Sequence, residues 1–404
     1  MGALETHEVS KKIDIFFFED SQSLGSGINT IIKNYSHIIV GISFFTTQLW
    51  DIHSLMQQLR KKYKKRITYI AGGPHPTGDP KGTLKLGFDL VVVGEGEKTL
   101  IELLEKLISD EDFQKIKGLA FKDEKGTFQS TGKRAFIDLN EYPPFPLKHS
   151  KFGALEITRG CPYVCYFCQT PHILGITPRH RAIEIICKYI KIMKERNLTN
   201  IRFITPNAFS YGSLDGKSPN IAKLRELLKR IKEIISPTGR IYLGSFPSEV
   251  RPEHVNKDTL NLIKEYCAND NIIIGAQSGS QKILDLCHRG HSLEDILNAV
   301  KITVEYGLTP NVDFIFGLPH EDKEDIKLTI DLMERLVELG ARIHTHSFVP
   351  LPQTPFAQEH ARKIDKTIRA YIHEMNVRGF AYGDWKKQER LALKISNYLQ
   401  TGKM

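Results

Sequence analysis

Apolar and polar positions follow two rhythms along this chain, short β-branched runs and longer stretches of helical period. In the first quarter the runs are IDIFFFE (13–19), HIIVGISFF (37–45), RITYIAGG (66–73) and FDLVVVGEG (88–96). Amphipathic DIHSLMQQLRKKY lies among them, and KTLIELLEKLI follows the last. Such alternation predicts a parallel sheet flanked by helices. In sheets of this kind ligands bind beyond the carboxyl ends of the strands, where small residues let the backbone come close. The stretch 117–146 holds two short strand-like runs around turn residues and then a proline cluster, so 116–150 reads as a hairpin and linker after a sheet domain at 1–115.

From Gly153 the rhythm resumes with six strand-like segments: GALEIT (153–158), NIRFIT (200–205), RIYLGS (240–245), NIIIGA (271–276), NVDFIFG (311–317) and RIHTHSFV (342–349). Helical patterns such as AIEIICKYIKIMKER lie between them. Six strand–helix repeats over 151–355 predict a partial (β/α) barrel, two units short of the closed eight-fold form. The last stretch, 356–404, reads as a basic helical extension with a solvated face. The predicted fold class is therefore α/β.

Composition changes this picture little. The chain has 404 residues, 41% apolar and 25% charged, which excludes a mainly disordered protein. No apolar run is long enough to span a bilayer and no signal-peptide pattern opens the chain, so a cytoplasmic location is expected. A net charge of +9 is modest for this length and reads first as a lysine-rich surface; nucleic acid is a possible partner but not the favoured one.

The cysteines change it more. Three of the six fall in EITRGCPYVCYFCQTPH (156–172), spaced C-x3-C-x2-C directly after the first barrel strand. Clustered cysteines in a chain with so few point to metal or redox chemistry rather than a disulfide scaffold. An iron–sulfur cube takes four cysteines, so three leave one iron with an open site. The alternatives are a Cys3His zinc site completed by His172, and three unrelated buried thiols. Cys187, Cys267 and Cys287 sit in helical patterns and read as core residues.

With Phe167 directly before the last cysteine, the motif resembles the signature of the radical S-adenosylmethionine (SAM) superfamily. That resemblance implies that Cys161, Cys165 and Cys168 ligate a [4Fe-4S] cluster whose open iron holds SAM, and that SAM is cleaved to a 5′-deoxyadenosyl radical. It places Phe167 beside the adenine and assigns Asn207, Glu249, Gln277 and Arg289, each near a strand end, to SAM binding. It implies an electron donor such as a ferredoxin or flavodoxin. The stretch IGAQSGSQKILDLCHRGHSLEDI (274–296) also resembles methylthiotransferases.

The first domain, with GISFF (41–45) and AGGPHPTGDPKGTLKLGFDLVVVGEGE (71–97), resembles the cobalamin-binding Rossmann-like domain of cobalamin-dependent radical enzymes. By that resemblance Ser43, Gly72, Gly73, Pro74, His75, Gly94, Glu95 and Gly96 line a cobalamin site. The stretch before Ile13 is too short for the family's additional strand-and-loop unit, so the first βα unit is expected to be missing. No D-x-H-x-x-G is present, so no histidine of that motif is expected to ligate cobalt. The reading implied is cobalamin-dependent methylation of an unactivated carbon in an unknown substrate. Its alternatives are a radical enzyme without cobalamin acting in RNA modification, cyclisation or oxidation, and a non-enzymatic iron–sulfur or zinc module.

Overall fold

Five strands form the first sheet, and the computed structural model that shows them describes all 404 residues. β1 (Ile38–Ser43), β2 (Ile67–Gly72) and β3 (Leu90–Val92) run parallel, and β4 (Leu119–Lys122) and β5 (Phe128–Ser130) follow antiparallel. The anticipated hairpin is β4–β5, turned by Asp123, whose carboxylate accepts the Lys125 and Thr127 N–H groups. It pairs with β3 and so extends this sheet. Ile70, Leu90, Val92, Leu103, Leu119 and Phe121 close one core, where helix Gly96–Ile108 packs on the strands.

Residues 13–19 do not form the expected strand, and no strand precedes β1. Ile13 and Ile15 instead pack on a satellite cluster of Ala3, Leu4, Val9, Ile101 and Leu104, while Phe17 lies against the His149 ring. The Ile15 carbonyl, which a ladder would have used, bonds His149 Nε2 at 3.1 Å. Burial of an apolar run does not require a strand partner, and here a strap satisfies it.

The second sheet system contains every anticipated strand. It comprises β6 (Leu155–Glu156), β7 (Thr158–Arg159), β8 (Arg179–His180), β9 (Asn200–Ile204), β10 (Arg240–Tyr242), β11 (Asn271–Gln277), β12 (Thr309–Phe316) and β13 (Arg342–Ser347). A short β14 (Ala381–Tyr382) joins β13 in parallel. The order β6-β9-β10 continues to β11-β12-β13-β14 through a parallel bridge, Val250 to Ile274, and the Ile273 N–H to Gly244 carbonyl bond. The result is a parallel partial barrel. The antiparallel β7–β8 pair, unanticipated, closes the base of the cysteine loop.

The tail is helical except for β14, but its face is not simply solvated. Ile364, Ile368, Ile372, Met375, Trp385, Ala392, Ile395 and Tyr398 are all buried. The chain separates into two compact units, 1–150 with 351–353 and 401–404, and 151–350 with 354–400.

Candidate functional site

The cysteine loop is held from both ends. Thr158 pairs with His180 and Arg159 with Arg179, and the Cys161 N–H bonds the Gly175 carbonyl at 3.0 Å. Gly160 has a φ of +88°, and a Cβ there would lie 2.2 Å from the Thr177 carbonyl oxygen, so only glycine fits. Cys168 N–H closes a turn onto the Cys165 carbonyl at 2.9 Å. Burial pushes the Cys168 thiol up to about 11 and raises Cys161 as well. Neighbouring thiols add to both shifts, as expected of sulfurs gathered for a centre that takes them as thiolates. Phe167 packs against the apolar cluster of Ile283, Cys287, Leu318, Phe348 and Phe356.

Arg289 joins this loop to the strand ends. Its Nη1 lies 3.6 Å from Cys165 Sγ and its Nη2 donates to the Gly275 carbonyl at 2.6 Å. A methyl group on Gly275 would meet Arg289 Nη2 at 2.7 Å, Gln277 Nε2 at 2.8 Å and Glu249 Oε2 at 3.0 Å, so three of the predicted SAM residues converge on one point. Gln277 itself has a φ of +75°, at a register shift in the β11–β12 ladder. Strain of that kind at a non-glycine is a mark of a functional position. Arg289 stays charged despite burial, held by the Cys165 sulfur and by Glu249. Burial pushes Glu249 up to about 7; Arg289 opposes that shift, and the Asp313 carboxylate adds to it.

Asn207 is placed differently. Its amide donates to His254 Nδ1 at 2.7 Å and its Oδ1 faces the Arg251 N–H at 3.4 Å. With Nδ1 accepting, the His254 Nε2–H donates to the Lys217 carbonyl at 2.8 Å. Asn207 therefore positions the Arg251 segment. Arg251 in turn lies 3.4 Å over the Tyr163 ring, pairs with Glu253 and donates to the Arg289 carbonyl. Tyr163 and His254 escaped the sequence reading. Only the placement of Tyr163 between two of the cysteines hinted at its role.

In the first unit the glycines stand at the carboxyl ends of the strands. A Cβ on Gly72 or Gly94 would meet nothing within 4 Å, whereas one on Gly73, at a φ of +94°, would lie 2.6 Å from Ser43 Oγ. Gly96 opens the helix that follows β3. Phe45, just past β1, is 61% exposed. Open backbone beside an exposed ring suits a large, flat ligand. Two predicted contacts turn inward instead. His75, behind Pro74 in a short helix, is buried against Phe44 with Nδ1 3.1 Å from Thr46 Oγ1, and burial pushes it down to about 4. Glu95 Oε2 accepts the Ile137 N–H at 2.8 Å.

Known proteins resolve the class. A model of the radical SAM superfamily matches residues 155–333, and a model of the B12 binding domain matches 20–104. The chain therefore carries a B12-binding domain followed by a radical SAM domain. An uncharacterised methyltransferase of Pyrococcus horikoshii is 27% identical over 328 residues, 77% of this chain and 67% of that protein. A putative methylthiotransferase of Methanocaldococcus jannaschii is 29% identical over 309 residues, covering 74% and 65%. TsrM from Kitasatospora setae, a radical SAM methyltransferase solved with cobalamin and a [4Fe-4S] cluster, aligns with a TM-score of 0.66 at 15% identity, covering 83% of this chain and 69% of that one. At that identity the likeness is one of fold. The superfamily implies a [4Fe-4S] cluster and SAM, and the gathered thiols with an adjacent charged arginine fit them. No helix is long and apolar enough to cross a membrane.

Proposed function

We propose that this protein is a cobalamin-dependent radical SAM methyltransferase that acts on an unactivated carbon. The observation that carries the reading is Arg289, which lies against a cysteine-loop sulfur with one nitrogen and donates with the other to the carbonyl of Gly275, the residue on which Glu249 and Gln277 converge. Cys161, Cys165 and Cys168 would hold the cluster. Arg289 would meet the SAM carboxylate and Glu249 its amino or ribose donors, with Gln277 and Phe167 beside the adenosine and Asn207 supporting the wall. The open glycines of the first unit, Gly72 and Gly94, would take cobalamin. When bound, the cluster and SAM supply a 5′-deoxyadenosyl radical and cobalamin supplies a transferable methyl group. An electron donor of the ferredoxin or flavodoxin class is required.

Anaerobic titration of the reconstituted protein with hydroxocobalamin, followed by gel filtration, tests the cobalamin half of this reading; retention of about one cobalamin per chain is expected. Formation of 5′-deoxyadenosine after reduction tests the other half. A protein that cleaves SAM but retains no cobalamin would shift the reading to radical modification without it. RNA would then be the first substrate class to try, given the methylthiotransferase relative and the +9 charge.

A further inference from the structure

Two histidines and an aspartate meet inside the barrel, apart from the cysteines. Asp313 on β12 and His344 on β13 are direct partners in the parallel ladder, and His346 follows two residues on, so the three side chains share a face. The opposite face, with Val312, Phe314, Ile343 and Thr345, is fully buried. Glu249 lies within electrostatic reach of Asp313 and His346, which sets the triad on the lumen side. His344 Nδ1 is 2.8 Å from Asp313 Oδ1 and 3.1 Å from His346 Nε2, and His346 Nε2 is 3.9 Å from Asp313 Oδ1.

Protons alone do not satisfy these contacts. The Ser347 N–H can only donate, and it donates to Gln388 Oε1 at 2.8 Å, so the Gln388 NH2 faces His346 Nδ1 at 3.3 Å. That makes Nδ1 an acceptor and puts the His346 proton on Nε2, aimed at His344 Nδ1. His344 Nδ1 cannot accept that proton and also donate to the Asp313 carboxylate. A cation at the centre removes the conflict among the three close atoms; the His346 proton then sits on Nδ1, so the 3.3 Å contact to Gln388 opens while the Ser347 N–H keeps its bond to Oε1.

The dimensions agree. The three sides of 2.8, 3.1 and 3.9 Å average about 3.3 Å, the donor–donor edge of a tetrahedral centre with bonds of about 2.0 Å, the length of a zinc–imidazole or zinc–carboxylate bond. The ligands are held before any ion arrives. His344 stacks on Tyr382 at 4.5 Å and 9°, and the two imidazoles lie 4.1 Å apart. Both histidine side chains are 28% exposed, so the centre is reachable.

We propose that Asp313, His344 and His346 form a second metal site, for a divalent transition ion held by two imidazoles and one carboxylate. Three protein ligands leave coordination positions open, and these take an oxygen or nitrogen donor of a second molecule in the lumen. The site does not depend on SAM cleavage or cobalamin. The test incubates cluster-loaded full-length protein with Zn2+, desalts it and counts zinc and iron separately, beside Asp313→Asn, His344→Gln and His346→Gln. The expected result is one retained zinc per wild-type chain, lost at least tenfold from each variant while iron stays constant. X-ray absorption at the zinc edge should show imidazole and oxygen ligands without sulfur. Failure of the wild type to retain zinc, equal retention by the variants, or a sulfur-bearing zinc shell would each overturn the site.

Discussion

A methyl group on Gly275 would press on Arg289, Gln277 and Glu249 at once, each at 3.0 Å or less. All three contacts are with side-chain ends, so Gly275→Ala should fold and load its cluster yet misplace the cradle. Displacements of about 1 Å at a reacting centre cost on the order of 10²-fold, and a fall of that size in 5′-deoxyadenosine formation, with an unchanged cluster EPR signal, is the expected outcome. Wild-type turnover in the variant would remove the cradle from the SAM site. His75 gives a second prediction at this scale. Burial lowers its pKa to about 4 from an ordinary value of 6.5, so between those values the unfolded chain binds a proton that the folded chain refuses. Stability is therefore full above about pH 6.5 and falls as the pH drops toward 4, by a few kcal/mol. Denaturant melts at pH 7.5 and 5 should show this loss, and His75→Phe should reduce it. The cysteine loop was legible because its three thiols are contiguous in sequence. The Asn207–His254–Tyr163 network was not, because its members lie 91 residues apart at the extreme and meet only in the fold.

The cysteine loop works as an element because its base is clamped. Gly160→Ala would drive a Cβ into the Thr177 carbonyl at 2.2 Å, a backbone atom that cannot swing away, and would force an alanine to a φ of +88°. The left-handed conformation alone costs roughly 1–2 kcal/mol, and the clash adds to it. We expect the variant to fold its barrel, with native far-ultraviolet circular dichroism, but to assemble well under half the wild-type iron and sulfide. Full cluster loading would show that the loop tolerates another path. The same contrast explains which elements were legible. The barrel strands β6 and β9–β13 were found because each is an apolar run between clear helical patterns. The run at 13–19 misled for the same reason, since apolarity reports burial and not pairing. β7, β8 and β14 are two residues each, too short to carry any period, and tertiary pairing alone defines them.

For the whole molecule the tail decides more than its basic composition implied. It supplies β14, whose Tyr382 backs His344, and Gln388, which bonds the Ser347 N–H. It is locked in place by Glu389, which accepts the Ile364 N–H at 2.6 Å and pairs with Arg369. Ten of its apolar side chains are buried, among them Trp385 at 2% and Ile395 at 0% exposure. Large apolar residues contribute about 1.5–3 kcal/mol each when fully buried, so their sum rivals the roughly 5–15 kcal/mol net stability of a domain. Deleting 356–404 should therefore yield aggregated protein rather than a trimmed enzyme. The milder Trp385→Ala, at a cost of about 3–5 kcal/mol, should lower the unfolding midpoint by several degrees while the protein stays monodisperse. The two variants separate a packed tail from an appended one. An appended tail predicts a soluble deletion with a native midpoint and an alanine variant indistinguishable from wild type, whereas a packed tail predicts graded loss in proportion to the apolar surface removed.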